Sequence, residues 1–337
     1  MGRAAVVTVG DSRRESLGAM KLARWLRRTG WEVDETTDVG LFDDHDLFAF
    51  SAVFSWHLPR LVQMVRDARA KGAEVWVGGP AVTFSARNAE YVRRETGVAP
   101  HHGIDDRFET EPGAYPMVYF SRGCPAYTPA CGLCPVPRIE GNEFRYYPDA
   151  TPAPLLLDNN LSALPVEYQE HIIGRYQAGW RRGKVDANSG FEPHTFTGET
   201  LKRWERFPLR YWRFGYDDLS EREQALDMMR LLKRHGYDGE KVRVYTLIGN
   251  EPVEACHQRV REVIENGCHP WPQRLRPLDW LGGPLPTRHD WSEPDLIAFQ
   301  RFYANRAFWG RMRPEEFFYQ GRYPLRRPGS GPRVPLL

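Results

Sequence analysis

Short apolar runs alternate with longer amphipathic stretches through the first hundred residues of this chain. The run at residues 4–9 is continuous and apolar, as expected for a strand buried on both faces. Residues 16–28 follow with apolar positions at helical spacing, and Gly30 ends that stretch. The same alternation predicts strands at 31–33, 47–54 and 74–77 and a helix at 58–71.

Strands separated by helices of this length predict an α/β fold with a parallel, doubly wound sheet. We therefore expect an N-terminal Rossmann-like domain over residues 1–105, with any ligand crevice beyond the carboxyl ends of its strands. Gly10, Gly78 and Gly79 follow predicted strands and suit either plain turns or close approach of a ligand. The full dinucleotide-binding fingerprint is missing.

The alternation continues beyond residue 115, where polar residues follow the end of one predicted strand after another. Parallel strands with polar carboxyl ends predict a second domain over residues 115–290 with a site at that edge. The strands are predicted at 117–120, 154–157, 184–187, 211–216 and 242–248, and helices at 166–177, 221–235 and 253–265. We expect a helical extension at 291–320 and a flexible, Pro- and Arg-rich tail at 321–337.

Composition limits the class of protein without identifying it. The 337 residues are 41% hydrophobic and 27% charged, which suits a globular protein with two cores. No apolar stretch approaches the roughly 20 residues that a membrane span requires, and no signal peptide begins the chain, so we expect a cytoplasmic protein with no membrane partner. The net charge of +2 favours neither a nucleic-acid nor an acidic partner.

Three of the five cysteines, Cys124, Cys131 and Cys134, lie in one short run. Thiolates are the ligands of soft metals, and three that converge suit a 4Fe-4S cluster in which the fourth iron has no protein ligand. An iron without a protein ligand can bind a reactant. The run therefore predicts a metal centre at the end of the strand at 117–120.

A structural zinc site is the alternative interpretation, because Cys131 and Cys134 have the spacing that begins many such sites. Zinc normally requires a fourth Cys or His. A disulfide framework is disfavoured by the odd, sparse number of cysteines. Residues that could complete a zinc site are His101, His102, Cys256 and Cys268.

Several motifs together resemble the radical S-adenosylmethionine (SAM) enzymes, in particular those with a cobalamin-binding-like domain before the barrel. The segment from Ser121 to Pro125 resembles the opening of their cluster loop, and Gly78-Gly79-Pro80 resembles part of their N-terminal domain. The chain is also similar to a branch of the family found in bacteria and phages. The motifs that carry this similarity are Asp158-Asn159-Asn160, Asn188-Ser189-Gly190, 245–249 and 302–306.

This resemblance implies a partial (β/α)6 barrel of the TIM type over residues 115–290. It implies a 4Fe-4S cluster that cleaves SAM reductively to a 5'-deoxyadenosyl radical, which abstracts hydrogen from a small-molecule or nucleotide-type substrate. A nucleobase or nucleotide derivative is the substrate class that the phage relatives suggest, and flavodoxin or ferredoxin is the implied reductant. The sequence does not identify the substrate, the reaction outcome or the oligomeric state.

The resemblance also assigns roles to individual residues. Cys124, Cys131 and Cys134 hold the cluster. The expected SAM-binding residues are Asp158, Asn159, Asn160, Asn188, Ser189, Gly190, Tyr245, Leu247, Ile248 and Gly249, with Glu192, His194, Arg213 and Tyr216 as further candidates. From the residues alone, 158–160 suits a turn or helix cap equally well, and 245–248 suits a core strand.

Two departures from the family pattern leave other functions open. Six residues separate Cys124 from Cys131 where the family has three, and Leu133 replaces an aromatic residue. The N-terminal domain lacks the Asp-x-His-x-x-Gly motif, so cobalamin would bind without that lower ligand or not at all. The alternatives are a cobalamin-dependent radical SAM methyltransferase and, from another class, a non-catalytic zinc-stabilised module that contacts nucleic acid through arginines.

Overall fold

The computed structural model describes residues 2–10, 16–40, 42, 44–125, 132–314 and 317. These residues form two compact units, each assembled from separate stretches of the chain. Unit 1 takes its residues from Met1–Pro125, Pro135–Ala153 and Pro277–Gly283. Unit 2 takes its residues from Ala126–Cys134, Pro154–Arg276 and Pro284–Leu337.

A four-stranded parallel sheet with the order β2-β1-β3-β4 lies at the centre of unit 1. Its strands are β1 (Arg3–Val9), β2 (Glu32–Thr36), β3 (Leu47–Ala52) and β4 (Glu74–Gly78). The two central strands are the most apolar ones, and β3 is buried at every position. The strand order reverses between β1 and β3, which is where open parallel sheets form a ligand crevice.

Two helices of unit 1 connect strands of this sheet, one between β1 and β2 and one between β3 and β4. In α1, the Ser16 side chain accepts a hydrogen bond from the Ala19 amide at 3.4 Å and so caps the first turn. The buried residues Ala19, Ala23 and Leu26 pack against β1 and β3. The helices are α1 (Leu17–Arg28), α2 (Leu58–Ala70), α3 (Pro80–Thr83), α4 (Ala86–Thr96), α5 (Asp106–Glu109) and α6 (Val136–Glu140), with a 3-10 turn at Ser55–His57.

A late segment of the chain, Pro277–Gly283, completes unit 1. Ser55 Oγ donates a hydrogen bond of 2.7 Å to the Trp280 carbonyl. The buried side chain of Asn88 donates a hydrogen bond of 2.8 Å from Nδ2 to the Leu278 carbonyl. A buried amide needs such an acceptor, so this late segment contributes to the stability of unit 1.

Three short strands of unit 1 flank the cysteine run. They are β5 (Met117–Val118), β6 (Ser121–Arg122) and β7 (Arg145–Tyr146). Strands β6 and β7 pair in antiparallel fashion, with Ser121 opposite Tyr146. Only the first half of the strand predicted at 117–120 is a strand, β5, and β6 follows just beyond the predicted range. The cysteine run lies in the connection from β6 to β7.

Unit 2 is built from parallel strands with helices between them. Strand β8 pairs with β9, and β10, β11 and β12 form a three-stranded parallel sheet in that order. The strands are β8 (Leu155–Leu156), β9 (Asp186–Ala187), β10 (Trp212–Gly215), β11 (Gly239–Ile248) and β12 (Cys268–Arg274). The helices are α7 (Val166–Gly179), α8 (Gly198–Trp204), α9 (Arg222–Arg234), α10 (Val253–Glu265), α11 (Glu293–Tyr303) and α12 (Arg306–Trp309), with 3-10 turns at Pro193–Thr195 and Leu219–Glu221.

The α/β fold with parallel sheets that the sequence predicts is confirmed. Helix α10 has the predicted bounds, and the predicted C-terminal extension contains α11 and α12. The predictions did not include α4, α8 or β12. The tail predicted at 321–337 lies outside the described residues. Among the described helices, none combines the length and the apolar character that crossing a membrane requires.

Candidate functional site

The cysteine run begins at a tightly fixed point of unit 1. The Gly123 amide donates a hydrogen bond of 2.9 Å to Glu140 Oε2, and Arg122 Nη2 donates one of 2.8 Å to Oε1 of the same carboxylate. Gly123 has a φ of +86°, and a Cβ there would lie 2.1 Å from the Glu143 carbonyl oxygen. Only glycine fits this position without strain. The Cys124 amide then bonds to the Gly141 carbonyl at 3.2 Å.

Charged residues surround the base of this loop. Glu109 is buried and lies 3.4 Å from Arg122 Nη1 and 3.2 Å from Lys21 Nζ. Burial lowers the pKa of Lys21, and the adjacent Glu109 carboxylate partly opposes this shift. Arg122 therefore joins two buried carboxylates, and these ion pairs connect the start of the cysteine loop to α1, α5 and α6.

Two of the three predicted cluster ligands lie within the described residues. Cys124 belongs to unit 1 and Cys134 to unit 2, and both are partly exposed. Cys131, the third ligand, lies outside the described residues. Among the residues that are described, no three His, Cys, Asp or Glu side chains form a metal-binding group. By the chemistry of the donor set, three cysteine sulfurs fit an iron-sulfur cluster.

The other two cysteines are poor metal ligands. Cys256 and Cys268 are buried in unit 2, at 0% and 2% exposure. Burial raises the pKa of the Cys256 thiol and raises that of Cys268 to about 12. Because metals bind the thiolate, this shift argues against these residues as the remote half of a zinc site.

The structure brings together the predicted polar motifs that follow β8 and β9. The Leu161 amide donates a hydrogen bond of 3.1 Å to the Gly190 carbonyl. Asp158 and Asn160 are both buried. Asn160 Oδ1 accepts hydrogen bonds from the Ala163 amide at 3.1 Å and from a neighbouring serine hydroxyl, so this side chain closes a local turn.

The motif Asn188-Ser189-Gly190 lies against β10 and β11. Gly190 has a φ of +75°, and a Cβ there would lie 2.1 Å from the Arg213 carbonyl oxygen, so a larger residue would push this loop off the strand. The Tyr245 hydroxyl donates a hydrogen bond of 3.3 Å to the Asn188 carbonyl. Asn188, Arg213 and Tyr245 were predicted from separate parts of the sequence, and the structure places them side by side.

The remaining predicted residues have more local partners. His194 Nδ1 lies 2.8 Å from Glu192 Oε1, and the same oxygen accepts the His194 amide at 2.9 Å. Tyr216 is fully buried, and its hydroxyl donates a hydrogen bond of 2.7 Å to Glu262 Oε2 on α10. Burial and the Glu262 carboxylate raise the pKa of Tyr216. Tyr216 thus faces a helix, whereas Arg213 faces the opposite side of the sheet.

Residues of β11 alternate between two environments. Tyr245 and Leu247 are partly exposed on one face, and Thr246 and Ile248 are completely buried on the other. Gly249 follows with a φ of +91°. Of the predicted segment, Tyr245 and Leu247 are therefore the side chains that can contact a ligand, and Ile248 belongs to the core.

Two residues that the sequence predictions missed join the carboxyl ends of β10 and β11. Arg259 of α10 is fully buried and donates hydrogen bonds to the carbonyls of Tyr216 at 2.7 Å and Leu247 at 2.6 Å. Its Nε lies 2.8 Å from Glu251 Oε2. A charged residue on the apolar face of the helix predicted at 253–265 was a signal for this role.

Asp217 is the second missed residue, two positions beyond the end of β10. Its Oδ1 accepts the Leu247 amide at 2.8 Å. Burial and the nearby carboxylate of Glu221 together raise the pKa of Asp217 to about 6, and the positive charge of Arg259 partly opposes this shift. A carboxyl group with a pKa near neutrality at the end of a parallel strand is suited to accept or donate a proton.

In comparisons with known proteins, no family model matches this chain, and no curated protein matches it. The functional assignment therefore rests on the residues described above.

The raised pKa of Asp217 predicts a pH-dependent stability. The carboxyl has a pKa of about 6 when folded and an ordinary value of 3.8, so the stability it contributes in acid is lost as the pH rises through 6. The free energy of unfolding of the Asp217→Asn variant, relative to that of the wild type, should therefore rise by roughly 2 kcal/mol when the pH is raised from about 4.5 to about 7.5. Urea unfolding at both pH values measures this difference.

Asp227→Asn is the matched control, because that carboxylate is 68% exposed on α9. The free energy of unfolding of this control, relative to that of the wild type, should change by less than about 0.5 kcal/mol between the two pH values. Equal pH responses of the two variants would show that the pKa of Asp217 in the folded protein is close to its ordinary value.

Proposed function

We propose that this chain is a radical SAM enzyme, with a Rossmann-like N-terminal domain and a partial (β/α) barrel. Its activity is the one-electron cleavage of SAM, in which the C5'–S bond breaks to give methionine and a 5'-deoxyadenosyl radical that takes a hydrogen atom from a substrate. The observation that carries the proposal is the run of Cys124, Cys131 and Cys134, which offers three thiolates and no fourth cysteine nearby.

The architecture supports this proposal at the level of the fold. The order β2-β1-β3-β4 in unit 1 is that of a doubly wound sheet. In unit 2, helices separate parallel strands, and polar loops follow β8, β9, β10 and β11, as in enzymes that build their sites at the carboxyl ends of barrel strands. Both features fit many other enzymes, so they support the cysteine argument and do not replace it.

A 4Fe-4S cluster held by the three cysteines would supply the electron and the open iron that binds the methionyl group of SAM. The residues of the chain position the cluster loop and bind SAM. Gly123 and Glu140 fix the position at which the loop leaves β6. The reductant is an electron carrier of the flavodoxin or ferredoxin class.

We assign SAM binding to the loops that follow β8, β9 and β11. We assign the methionyl ammonium to Asp158, because a carboxylate is a charged acceptor for an ammonium group, whereas the amide of Asn160 is neutral. Asn188 and Ser189 provide polar groups for the ribose, and the Leu247 side chain provides an apolar contact for adenine. Excluding water from this region protects the radical from side reactions.

The test is anaerobic reconstitution of the full chain with iron and sulfide. We expect a brown protein that binds iron and, after reduction with dithionite, converts SAM to 5'-deoxyadenosine and methionine. Chromatography detects both products. A colourless protein that binds zinc and no iron would refute the proposal and favour the zinc-stabilised module. Co-elution of added hydroxocobalamin would favour the methyltransferase, and its failure to co-elute would exclude that variant.

A further inference from the structure

Three arginines of unit 2 converge on one tyrosine ring. The guanidinium carbons of Arg210, Arg213 and Arg243 lie 5.3, 5.3 and 3.6 Å from the centroid of the Tyr211 ring. Arg213 and Arg243 are directly opposite each other in the parallel pair β10 and β11. We call these three side chains the arginine cluster. An aromatic ring stabilises nearby guanidinium groups by cation–π attraction.

The acceptors around the arginine cluster are too few for its donors. Arg213 donates to Asp186 Oδ2 at 2.6 Å and to the Tyr245 hydroxyl, but its Nε has no partner among the described residues, although the side chain is only 9% exposed. Buried donors without acceptors are unfavourable. This arrangement is expected where a ligand supplies the missing acceptor.

Arg243 has even fewer partners than Arg213. Its side chain is 18% exposed, and within the described part of the chain it donates no hydrogen bond. Its ion partner is Glu240, which is half exposed, lies 3.8 Å away and also contacts His269. Water screens the half-exposed Glu240 carboxylate, and 3.8 Å is too long for a hydrogen bond, so the charge of Arg243 is poorly compensated.

The chemistry of the cluster selects an anion with several oxygen atoms. Three guanidinium groups face two carboxylates, Asp186 and Glu240, which leaves one excess positive charge and open donors on Arg210 and Arg243. Guanidinium groups bind phosphate through paired hydrogen bonds, and clusters of arginine are typical phosphate sites. A phosphate monoester has three terminal oxygen atoms and can accept hydrogen bonds from several of these guanidinium donors at once, whereas a carboxylate has only two oxygen atoms.

Aromatic rings next to the cluster indicate what else the ligand carries. Tyr245 and Trp271 are opposite each other in β11 and β12, and both are partly exposed. The Arg243 guanidinium lies 5.3 Å from the Trp271 ring. Exposed aromatic side chains beside a phosphate site can stack on a planar ring, as they do with nucleobases.

We propose that the arginine cluster binds the phosphate monoester of a small molecule that also carries a planar ring, as a nucleoside monophosphate does. The Tyr245 hydroxyl bridges the cluster to Asn188, so a ligand anchored here extends toward the carboxyl ends of β9 and β11. The binding of this ligand does not depend on the proposed radical SAM function. The inference that the ligand is the substrate rests on that function.

Calorimetric titration of the full, reconstituted but unreduced chain tests the binding. The probes are the 5'-monophosphates of adenosine, guanosine, cytidine and uridine, the matching nucleosides, inorganic phosphate and benzoate. At least one monophosphate should bind about 10-fold or more tightly than its nucleoside and than benzoate, and inorganic phosphate should compete with it. Equal binding of monophosphate and nucleoside, or tighter binding of benzoate, would overturn the proposal.

Matched arginine variants locate the site. Arg243→Gln should weaken monophosphate binding about 10- to 100-fold and leave nucleoside binding unchanged, because it removes charge-assisted hydrogen bonds to the phosphate. Arg210→Gln, at an exposed position, is the second test in case the first variant is unstable. Arg230→Gln on α9, where the side chain is 55% exposed, is the control. Unchanged affinity in the folded Arg243 and Arg210 variants would contradict the assignment.

The two proposals fail separately. Binding is measured without a reductant, so it does not depend on SAM cleavage. Phosphate-dependent binding by a protein that never cleaves SAM would refute the radical function alone. If the protein cleaves SAM but binds monophosphates no more tightly than nucleosides, only the proposal that the arginine cluster is a ligand site is refuted.

Discussion

We expect Arg259→Ala to lower the free energy of unfolding by about 3 to 5 kcal/mol, because it removes a fully buried cation from the carboxylate of Glu251, which is only 15% exposed. In the wild type, Arg259 binds Glu251 and the carbonyls of Tyr216 and Leu247, and its side chain is fully buried. The variant leaves three acceptors without this donor at the carboxyl ends of β10 and β11. Urea unfolding followed by circular dichroism measures the loss.

Two further variants test which property of Arg259 stabilises the protein: its charge, the reach of its guanidinium group or its burial. Arg259→Lys keeps the charge but cannot reach all three acceptors, so it should lose less stability than the alanine variant. Arg222→Ala is the surface control, because that side chain is 52% exposed although its Nε lies 2.7 Å from Glu262. It should lose about 1 kcal/mol or less. Equal losses in the Arg222 and Arg259 alanine variants would show that burial does not decide the effect.

Replacing any one of the three clustered cysteines should abolish SAM cleavage. Cys134→Ala removes one thiolate of a three-ligand set, and in the described part of the chain no three His, Cys, Asp or Glu side chains form an alternative metal site. The absorbance of the reconstituted protein in the visible range, its iron content and its production of 5'-deoxyadenosine should all fall to the level of the protein without iron. Cys124→Ala and Cys131→Ala should behave in the same way.

The control for the cysteine variants is Cys268→Ala. This thiol is buried in unit 2, and its raised pKa disfavours the thiolate. The variant should keep its iron and its activity. If Cys268→Ala lost its iron and Cys134→Ala kept all of its iron, the metal site would not be in the cysteine run.

Local sequence pattern was sufficient for much of the fold. Strand β1 is a continuous apolar run, and α1 has a capping serine and an apolar face, so each was predictable from its own residues. Strand β12 was not, because Pro270 and Pro272 argue against a strand. It is the outer strand of the β10-β11-β12 sheet, where a missing amide donor is tolerated.

The site was less predictable because it depends on register and on distant contacts. The sequence analysis placed Tyr245 among the expected SAM-binding residues and Tyr216 among the further candidates. Which one faces a ligand is decided by the face of the sheet on which it lies, and this shows only when β10 and β11 are aligned. The position of Arg259 on the apolar face of its helix indicates that it is buried, but the local sequence does not show which carbonyls it binds, because Leu247 and Tyr216 lie 12 and 43 residues away.

The late segment Pro277–Gly283 has a consequence for biosynthesis. A nascent chain that has just left the ribosome with its first hundred residues has no acceptor from Leu278 for Asn88 and none from Trp280 for Ser55. Unit 1 can form its sheet early, but it acquires these bonds only after the strands of unit 2 have been synthesised. Translation order and folding order therefore differ in this protein, because unit 1 completes these hydrogen bonds only with residues that are synthesised after β12 of unit 2.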